Sequence, residues 1–255
     1  MTSVRAWDKT RVIVAPVVFG LACLGIWQWL VVAFDLEPYV LPSPGAIGEQ
    51  FTDNVGLIAK AASATALNSL YGLILGVIVA LLWAGTAASF RLVREASAPI
   101  VMAASVVPIV ALAPVLYAMF GQSVQTARVL IAALAAFVPV YVNTLRGLLT
   151  VAPIHRDLMR VYAASPWQIT RTVTLPGALP FFFTGLGIAS SVSVISALVA
   201  EYFGGPVDGL GRAITSAVSS SRYALAWAYV VGAVAIGVIF FVATSGLERV
   251  SLRRR

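Results

Sequence analysis

Side chains that could do acid–base or metal chemistry are scarce in this sequence of 255 residues. His155 is the single histidine, and it lies in a polar segment where a solvated side chain is a simpler interpretation than a general base or a metal ligand. Cys23, in an apolar run, is the single cysteine. An intrachain disulfide and a metal site built from cysteines are therefore excluded. No Ser-His-acid set and no paired carboxylates are evident, so the sequence disfavours an enzyme.

Nucleotide hydrolysis by the usual phosphate-binding loop is also excluded. That loop needs a lysine directly after a glycine, and the two lysines of this chain, Lys9 and Lys60, follow Asp8 and Ala59. Nucleic-acid binding is disfavoured as well, because the net charge of +7 is not gathered in a basic cluster with interleaved aromatic residues. The excess of positive charge needs another explanation.

The composition is that of a membrane protein. Hydrophobic residues make up 60% of the chain and charged residues 11%, with a mean hydropathy of +0.94, whereas soluble domains have about 25% charged residues. Apolar runs recur that are suited to crossing a bilayer core of about 30 Å, and the first is too long for a cleaved signal peptide. The sequence predicts an all-α polytopic membrane protein with about six spans, at residues 12–34, 61–90, 96–120, 128–145, 177–200 and 223–246.

The charges that flank these runs predict the topology. With the N-terminus inside, 13 of the 17 basic residues lie on the inner side and six of the ten acidic residues on the outer side. Basic segments tend to stay on the cytoplasmic side, so both termini are predicted to be cytoplasmic in a multi-pass protein of the cytoplasmic (inner) membrane. The inner basic residues are Arg5, Lys9, Arg11, Arg91, Arg94, Arg146, Arg156, Arg160, Arg171, Arg249, Arg253, Arg254 and Arg255.

One long polar and basic stretch, residues 157–176, separates two of the apolar runs. Pro153 suits the first turn of a helix, where its missing N–H costs nothing. The residues that follow place an apolar side chain at positions i, i+4, i+7 and i+8, which is the spacing of one helix face. An amphipathic helix is therefore predicted, with its apolar face formed by Ile154, Leu158, Val161 and Tyr162.

A second short helix is predicted directly after the first. Ser165 and Gln168 have the spacing of a capping box, with Pro166 at the first helical position. Leu175-Pro176 is predicted to end this helix, because a residue before proline is pushed out of helical geometry. On these features alone, an ordinary connecting loop remains the alternative.

The spacing of the stretch resembles the signature loop in permease subunits of ATP-binding-cassette (ABC) importers. That signature runs Glu-Ala-Ala, three residues, Gly, nine residues, Ile, one residue, Leu-Pro. Leu175 and Pro176 match it outright, Asp157 and Val173 are conservative replacements, and Ala163 stands where the family has glycine. Leu158 and Met159 take the two alanine positions.

The resemblance implies that residues 146–176, here called the coupling loop, dock into a groove on a separate ATPase subunit. Burial of the apolar face should then dominate the contact, because an exposed ion pair contributes only about 0 to 1 kcal/mol. The resemblance assigns coupling to Arg156, Asp157, Leu158, Met159, Arg160, Val161, Tyr162, Ala163, Val173, Leu175 and Pro176.

The third apolar run is interrupted by Pro99, Pro108 and Pro114. Proline inside a span frees backbone carbonyls, which is tolerated beside other helices or along a water-lined cavity. The run is therefore predicted to line a translocation path, as its resemblance to the third core helix of the family implies, although a kinked packing helix fits equally. Polar candidates for the path, which ordinary interhelical hydrogen bonding would also explain, are Asn68, Ser105 and Asn143.

Two ionisable residues lie at the predicted outer ends of spans, Arg128 and Glu201. Interfacial anchors are the favoured interpretation, and relays of an ion-coupled carrier are the alternative. Ala200-Glu201 followed by Gly209-Leu210-Gly211 resembles a segment of the sulfonate, nitrate and pyrimidine-precursor importers. This resemblance suggests that Glu201 shapes an outer gate, with a purely structural hydrogen bond as the alternative.

Together these features predict a type I ABC importer permease, folded as one domain over residues 1–255 with its core at about 61–248. The resemblance implies a second permease copy or related chain, two ATPase subunits that hold ATP and Mg²⁺, and an extracytoplasmic substrate-binding protein. No cofactor, metal or nucleic acid is expected on this chain itself. The expected substrate is a small polar or anionic organic solute: a sulfonate, a nitrate-like anion or a pyrimidine or vitamin precursor. An ion-coupled carrier is the runner-up, followed by a channel-like or export role.

Overall fold

The computed structural model describes residues 3–121, 124–150 and 153–253, and every regular element within these ranges is helical. The helical class predicted from the sequence is therefore confirmed. A five-residue π-helical segment, Thr170–Thr174, joins α8 to α9. The α-helices are α1 (Ser3–Ala33), α2 (Pro44–Asp53), α3 (Val55–Ser89), α4 (Arg91–Val106), α5 (Ile109–Phe120), α6 (Thr126–Leu149), α7 (Pro153–Val161), α8 (Pro166–Ile169), α9 (Leu175–Phe203), α10 (Leu210–Ser219) and α11 (Tyr223–Arg253).

Five helical stretches in the described ranges are long and apolar enough to cross a membrane, and α4 with α5 makes a sixth if the bent pair counts as one span. This confirms the prediction of about six spans. Several spans are longer than predicted: α3 begins at Val55, and the stretch that contains α9 runs over Pro166–Phe203, 38 residues. The helices continue through polar residues beyond the ends of the predicted apolar segments.

Helices α3, α6 and α9 form the centre of the bundle, and small residues let them approach closely. A Cβ atom added to Gly76 of α3 would lie 2.5 Å from the carbonyl oxygen of Ala133 in α6. Lipid tails are as apolar as the side chains, so burial of apolar side chains does not drive helices together in a membrane. Close backbone contact of this kind is therefore a main source of helix association. Four small residues of α3 are buried in this core: Gly72, Gly76, Ala80 and Ala84.

The third span breaks at Val107-Pro108. Val107 has extended backbone geometry (φ −60°, ψ 123°), as a residue before proline prefers, and Pro108 caps the next helix. The two halves are bent by 101° relative to one another. Pro99 and Pro114 lie within α4 and α5, so only one of the three prolines interrupts the helix.

The predicted helix end at Leu175-Pro176 is wrong. The chain stays helical through this point, and α9 begins at Leu175 itself. The N–H of Leu175 donates to the carbonyl of Thr170, five residues earlier. In a regular α-helix the ring of Pro176 would clash with the carbonyl of Thr172, and the wider π turn accommodates this proline without ending the helix.

Replacing Gly76 by Ala should lower the free energy of unfolding by about 1–3 kcal/mol. The backbone of α6 would have to move by roughly 1 Å to make room for the methyl group, and that movement would disturb the packed core. The measurement is thermal unfolding of the detergent-solubilised protein. Gly85→Ala is the matched control in the same helix, since a Cβ atom there meets nothing within 4 Å. That control should be neutral or stabilising by up to about 1 kcal/mol; equal effects at both positions would contradict the packing argument.

Candidate functional site

The first helix of the coupling loop forms as predicted, as α7 over Pro153–Val161. Its apolar face has no cover within this chain: Leu158 is 52% exposed and Val161 is 82% exposed, with Ile154 and Tyr162 between these values. Met159 is half-buried and Asp157 is exposed. The side chains of Arg156 and Arg160 lie outside the described part of the structure, so their predicted contacts stay predictions.

Ala163 ends α7 in the left-handed conformation, with φ of 52°. The N–H of Ala164 donates to the carbonyl of Met159 at 3.0 Å, which is the long bond of the Schellman motif that often closes a helix. Glycine usually fills this position because a Cβ atom there costs about 1–2 kcal/mol. Ala163 is thus a strained residue at the position where the family signature has glycine.

The second helix of the coupling loop begins with the predicted capping box. The N–H of Gln168 donates to Oγ of Ser165 at 3.3 Å, and the N–H of Ser165 donates to Oε1 of Gln168 at 2.7 Å. These reciprocal bonds fix the start of α8 only two residues after Ala163. Of the remaining signature residues, Val173 lies in the π segment and is half-buried, while Leu175 is exposed.

A buried polar cluster lies at the opposite end of α9, around Glu201. Oε2 of Glu201 accepts hydrogen bonds from Oγ1 of Thr65 at 2.8 Å and from the N–H of Gly211 at 3.0 Å. The hydroxyl of Thr65 in turn accepts from the N–H of Leu210 at 2.9 Å. Two of the backbone N–H groups at the start of α10 are satisfied in this way, which ties α10 to α3 and α9.

The two glycines of Gly209-Leu210-Gly211 make room for this cluster. A Cβ atom on Gly209 would lie 2.2 Å from the carboxyl carbon of Glu201, and one on Gly211 would lie 2.3 Å from the carbonyl oxygen of Leu198. Leu210 between them is completely buried. The segment that resembles the sulfonate, nitrate and pyrimidine-precursor importers is therefore the backbone that covers the carboxylate.

Arg128 joins a third part of the chain to the cluster. Its Nη1 atom lies 2.6 Å from Oδ1 of Asp208 and 3.8 Å from Oε1 of Glu201, and its Nη2 atom donates to the carbonyl of Pro206. The hydroxyl of Tyr117 donates to the carbonyl of Ala200 at 3.2 Å. Helices α5, α6 and α9 are thereby held together with the segment of residues 204–209.

The prediction of interfacial anchors is wrong for both ionisable residues. The side chains of Arg128 and Glu201 are completely buried inside the protein, where each meets an opposite charge and hydrogen-bond partners from other parts of the chain. Some polar atoms of the cluster have no hydrogen-bond partner among the described residues: both amide atoms of Asn68, Oε1 of Glu201 and Nε of Arg128. The cluster thus combines a firm set of bonds with a few unsatisfied atoms.

The candidate path residues are distributed over two places. Asn68 and Glu201 meet in the buried cluster. Ser105 lies in the wall of a cavity between α4 and α6 near the coupling-loop end, while the amide of Asn143 donates to the carbonyl of Pro139 in its own helix at 2.8 Å. Pro108 and Pro114 are exposed on the bent third span. Their role in a path stays a prediction.

Two members of the cluster were missed by the sequence reasoning. Thr65 carries no local signal, because a threonine in an apolar helix commonly bonds to its own backbone. Asp208 stands in the polar connection between spans, where acidic residues are ordinary. Asp208 could have been proposed only by combining two facts. A buried Arg128 needs an acidic partner, and Asp208 is the acidic residue closest in sequence to Glu201.

Comparison with known structures first defines the class. The chain resembles the structure described as "Crystal structure of an amino acid ABC transporter with histidines", with a TM-score of 0.63 over 80% of this chain and 96% of that chain, at 18% identity. The fold is accordingly that of a type I importer permease. At this identity the likeness concerns the fold alone.

Sequence comparison then gives the family: the chain belongs to the binding-protein-dependent transport system inner membrane components, which match residues 72–255. It is 31% identical to the riboflavin transport system permease protein of Chloroflexus aurantiacus, over 90% of this chain and 86% of that protein. It is 32% identical to the formylaminopyrimidine transport permease protein of Halalkalibacterium halodurans, over 77% and 78% respectively.

The predicted recognition is thereby confirmed: the chain is a permease subunit of an ABC importer, and it is similar to permeases named for sulfonate, taurine, nitrate and formylaminopyrimidine transport. Such a subunit is a multi-pass membrane protein and is not an enzyme, since ATP is hydrolysed on partner chains. The exposed helix α7 and the buried cluster are its two candidate functional sites.

Replacing Ala163 by Gly should stabilise the coupling loop by up to about 1 kcal/mol. The gain is the removal of about 1–2 kcal/mol of left-handed strain, reduced by the larger backbone entropy that glycine loses on folding. Amide hydrogen exchange over residues 153–169 measures the effect locally. Ala164→Gly, at a position without positive φ, is the control and should destabilise the loop; a loosened loop in Ala163→Gly would contradict the strain.

Replacing Arg128 by Met should destabilise the protein by about 3–5 kcal/mol, because Glu201 would stay buried without its nearest counter-charge. Asp208→Asn should cost less, because that side chain is 37% exposed. The double variant Arg128→Met/Glu201→Gln should recover part of the loss in thermal unfolding. Strictly additive losses would show that the two charges are not coupled.

Proposed function

We propose that this chain is the membrane subunit of an ATP-driven importer and that α7 transmits the work of ATP hydrolysis to it. The observation that carries the proposal is the uncovered apolar face of α7, in a chain whose family works with partner subunits. Apolar patches rimmed by polar residues mark contact sites. Leu158, Val161 and Tyr162 would enter a groove on the ATPase, and Arg156 and Arg160 would add weaker charge-assisted contacts.

Movement of α7 would reach the membrane core through a short rigid connection. The Schellman closure at Ala163 and the capping box at Ser165 leave little freedom between α7 and α8. From α8 the chain is helical through the π segment into α9, which ends at the Glu201 cluster. In the proposed alternating access, two ATPase subunits close on ATP and Mg²⁺ and drive a pair of permeases from an inward-facing to an outward-facing state.

The coupling loop would face the cytoplasm and the Glu201 cluster would face outward. The distribution of basic residues supports this orientation, because the coupling loop and both termini carry most of them. An extracytoplasmic binding protein would then deliver substrate at the end where residues 204–209 lie. Glu201 would hold the outer gate together through the backbone of Gly209-Leu210-Gly211.

The proposed substrate is a small polar or anionic organic solute: a sulfonate, a nitrate-like anion, or a pyrimidine or vitamin precursor. Support comes from the relatives, since those named for riboflavin and formylaminopyrimidine transport match most of this chain. The path would run beside Asn68, Ser105, Pro108, Pro114, Asn143 and Glu201.

Replacing Leu158 and Tyr162 together by Asp should abolish copurification of the chain with its ATPase and the ATP hydrolysis that substrate stimulates. Two buried carboxylates in the groove would cost more than the contact gains. The measurement is affinity copurification followed by ATPase assay of the reconstituted complex, with candidate solutes and the binding protein added.

Two controls make this result specific to the apolar face. Leu158→Met/Tyr162→Phe keeps that face and should bind as the wild type does. Val207→Asp places one carboxylate at a still more exposed apolar position on the opposite end of the bundle, and it should leave ATPase binding unchanged. Solute movement by an ion gradient alone, without any ATPase bound, would overturn the proposal in favour of an ion-coupled carrier.

A further inference from the structure

A cavity of about 990 Å³ lies between the membrane core and the coupling loop. Its walls are the last turns of α3 and α6, the first turn of α4, and the chain from α8 into α9. This volume is at the upper end of the range for small-molecule sites. Most of the wall is apolar, and it includes Leu81, Leu148, Leu179 and Phe182.

One cation lies in this apolar wall, Arg94. Among the described residues the side chain of Arg94 has no hydrogen-bond or ion-pair partner, whereas that of Arg91 in the same helix pairs with Glu95 at 2.7 Å. Arg94 also lines the adjoining cavity of about 440 Å³, together with Arg146. No acidic residue occurs among the described residues that line either cavity. The electrostatic preference at this place is therefore for an anion.

A buried hydroxyl in the wall of the larger cavity indicates that a polar group occupies the cavity. Thr144 lines the larger cavity and is 5% exposed, and its Oγ1 atom has no hydrogen-bond partner among the described residues. Buried hydroxyls are normally hydrogen-bonded. By contrast, the hydroxyls of Ser89 and Thr170 in the same wall donate to carbonyls of their own helices.

We propose that this cavity binds one anionic phospholipid, with the headgroup phosphate at Arg94 and acyl carbon in the apolar part. Basic pockets between membrane helices are suited to anionic headgroups. A soluble anion would gain nothing from the apolar wall, and a zwitterionic lipid would bring its own cation close to Arg94 together with the phosphate. The lipid would touch α3 and α6 on one side and Trp167 of α8 on the other, so that it joins the core to the coupling loop.

Native mass spectrometry tests the proposal on the full chain, purified together with its partner subunits and stripped of loosely held lipid. Titration with phosphatidylglycerol should show one tightly retained molecule per permease, and phosphatidylcholine should bind more weakly. Arg94→Gln should weaken phosphatidylglycerol binding about fivefold, the value of one arginine near an anionic membrane surface. Arg91→Gln is the matched control and should change nothing, and Arg94→Lys should retain most of the binding.

A second variant tests the cavity without touching the charge. Gly85 lies in the wall, and an added Cβ atom there meets nothing within 4 Å. Gly85→Phe should place its ring in the part of the cavity that the lipid occupies and reduce lipid retention. Gly237→Phe adds the same ring at an equally open position of α11 and should retain the lipid.

Three results would overturn the proposal: undiminished retention of phosphatidylglycerol by Gly85→Phe, equal loss with Arg91→Gln and Arg94→Gln, or displacement of the lipid by millimolar glycerol phosphate. The last result would mark a site for a soluble anion. Because lipid retention is read directly and without ATP, its failure is distinguishable from a failure of the proposed coupling to the ATPase.

Discussion

A carboxylate buried at the end of a membrane helix dominates the architecture of this permease. An ionised Glu201 is costly in an apolar interior unless hydrogen bonds and a counter-charge surround it. The chain satisfies it with groups from several elements: a hydroxyl of α3, a backbone N–H of α10 and the guanidinium of Arg128 in α6. Each of these contacts fixes the position of its element. The small residues at Gly209 and Gly211 follow from the same constraint, since the backbone must come within contact distance of the carboxylate.

The two ends of the stretch from α7 to α9 differ in which side chains they bury. At the Glu201 end most polar groups are buried and bonded to one another, so that five helices and a loop are held together. At the other end apolar side chains of α7 stay in the open, and strain is kept at Ala163 in the turn that orients them. An uncovered apolar surface of this kind is expected in a subunit of a larger assembly, because a partner subunit would cover it.

Local features of the sequence predicted much of the fold and part of the sites. The spacing of Ser165 and Gln168 was enough for the capping box, and the apolar period after Pro153 was enough for α7, because both depend on neighbours within four residues. The interactions of Arg128 with Asp208 and Glu201 span about 80 positions of sequence and have no local pattern. The effect of Pro176 was misjudged for a similar reason, since a π turn replaced the helix end that proline usually causes.

The unbroken helical stretch Pro166–Phe203 has a mechanical consequence. At about 1.5 Å per residue its 38 residues span roughly 55 Å, nearly twice the thickness of the hydrocarbon core. The stretch is therefore one continuous helical segment between the capped start of α8 and the buried carboxylate of Glu201. Under the proposed coupling, a tilt of one end would be carried to the other. The π turn at Thr170–Thr174 and Pro180 are the places where the stretch departs from a regular α-helical hydrogen-bond pattern. In the proposed mechanism, the stiffness at these two places would set how much of the movement of α7 reaches the outer end of α9.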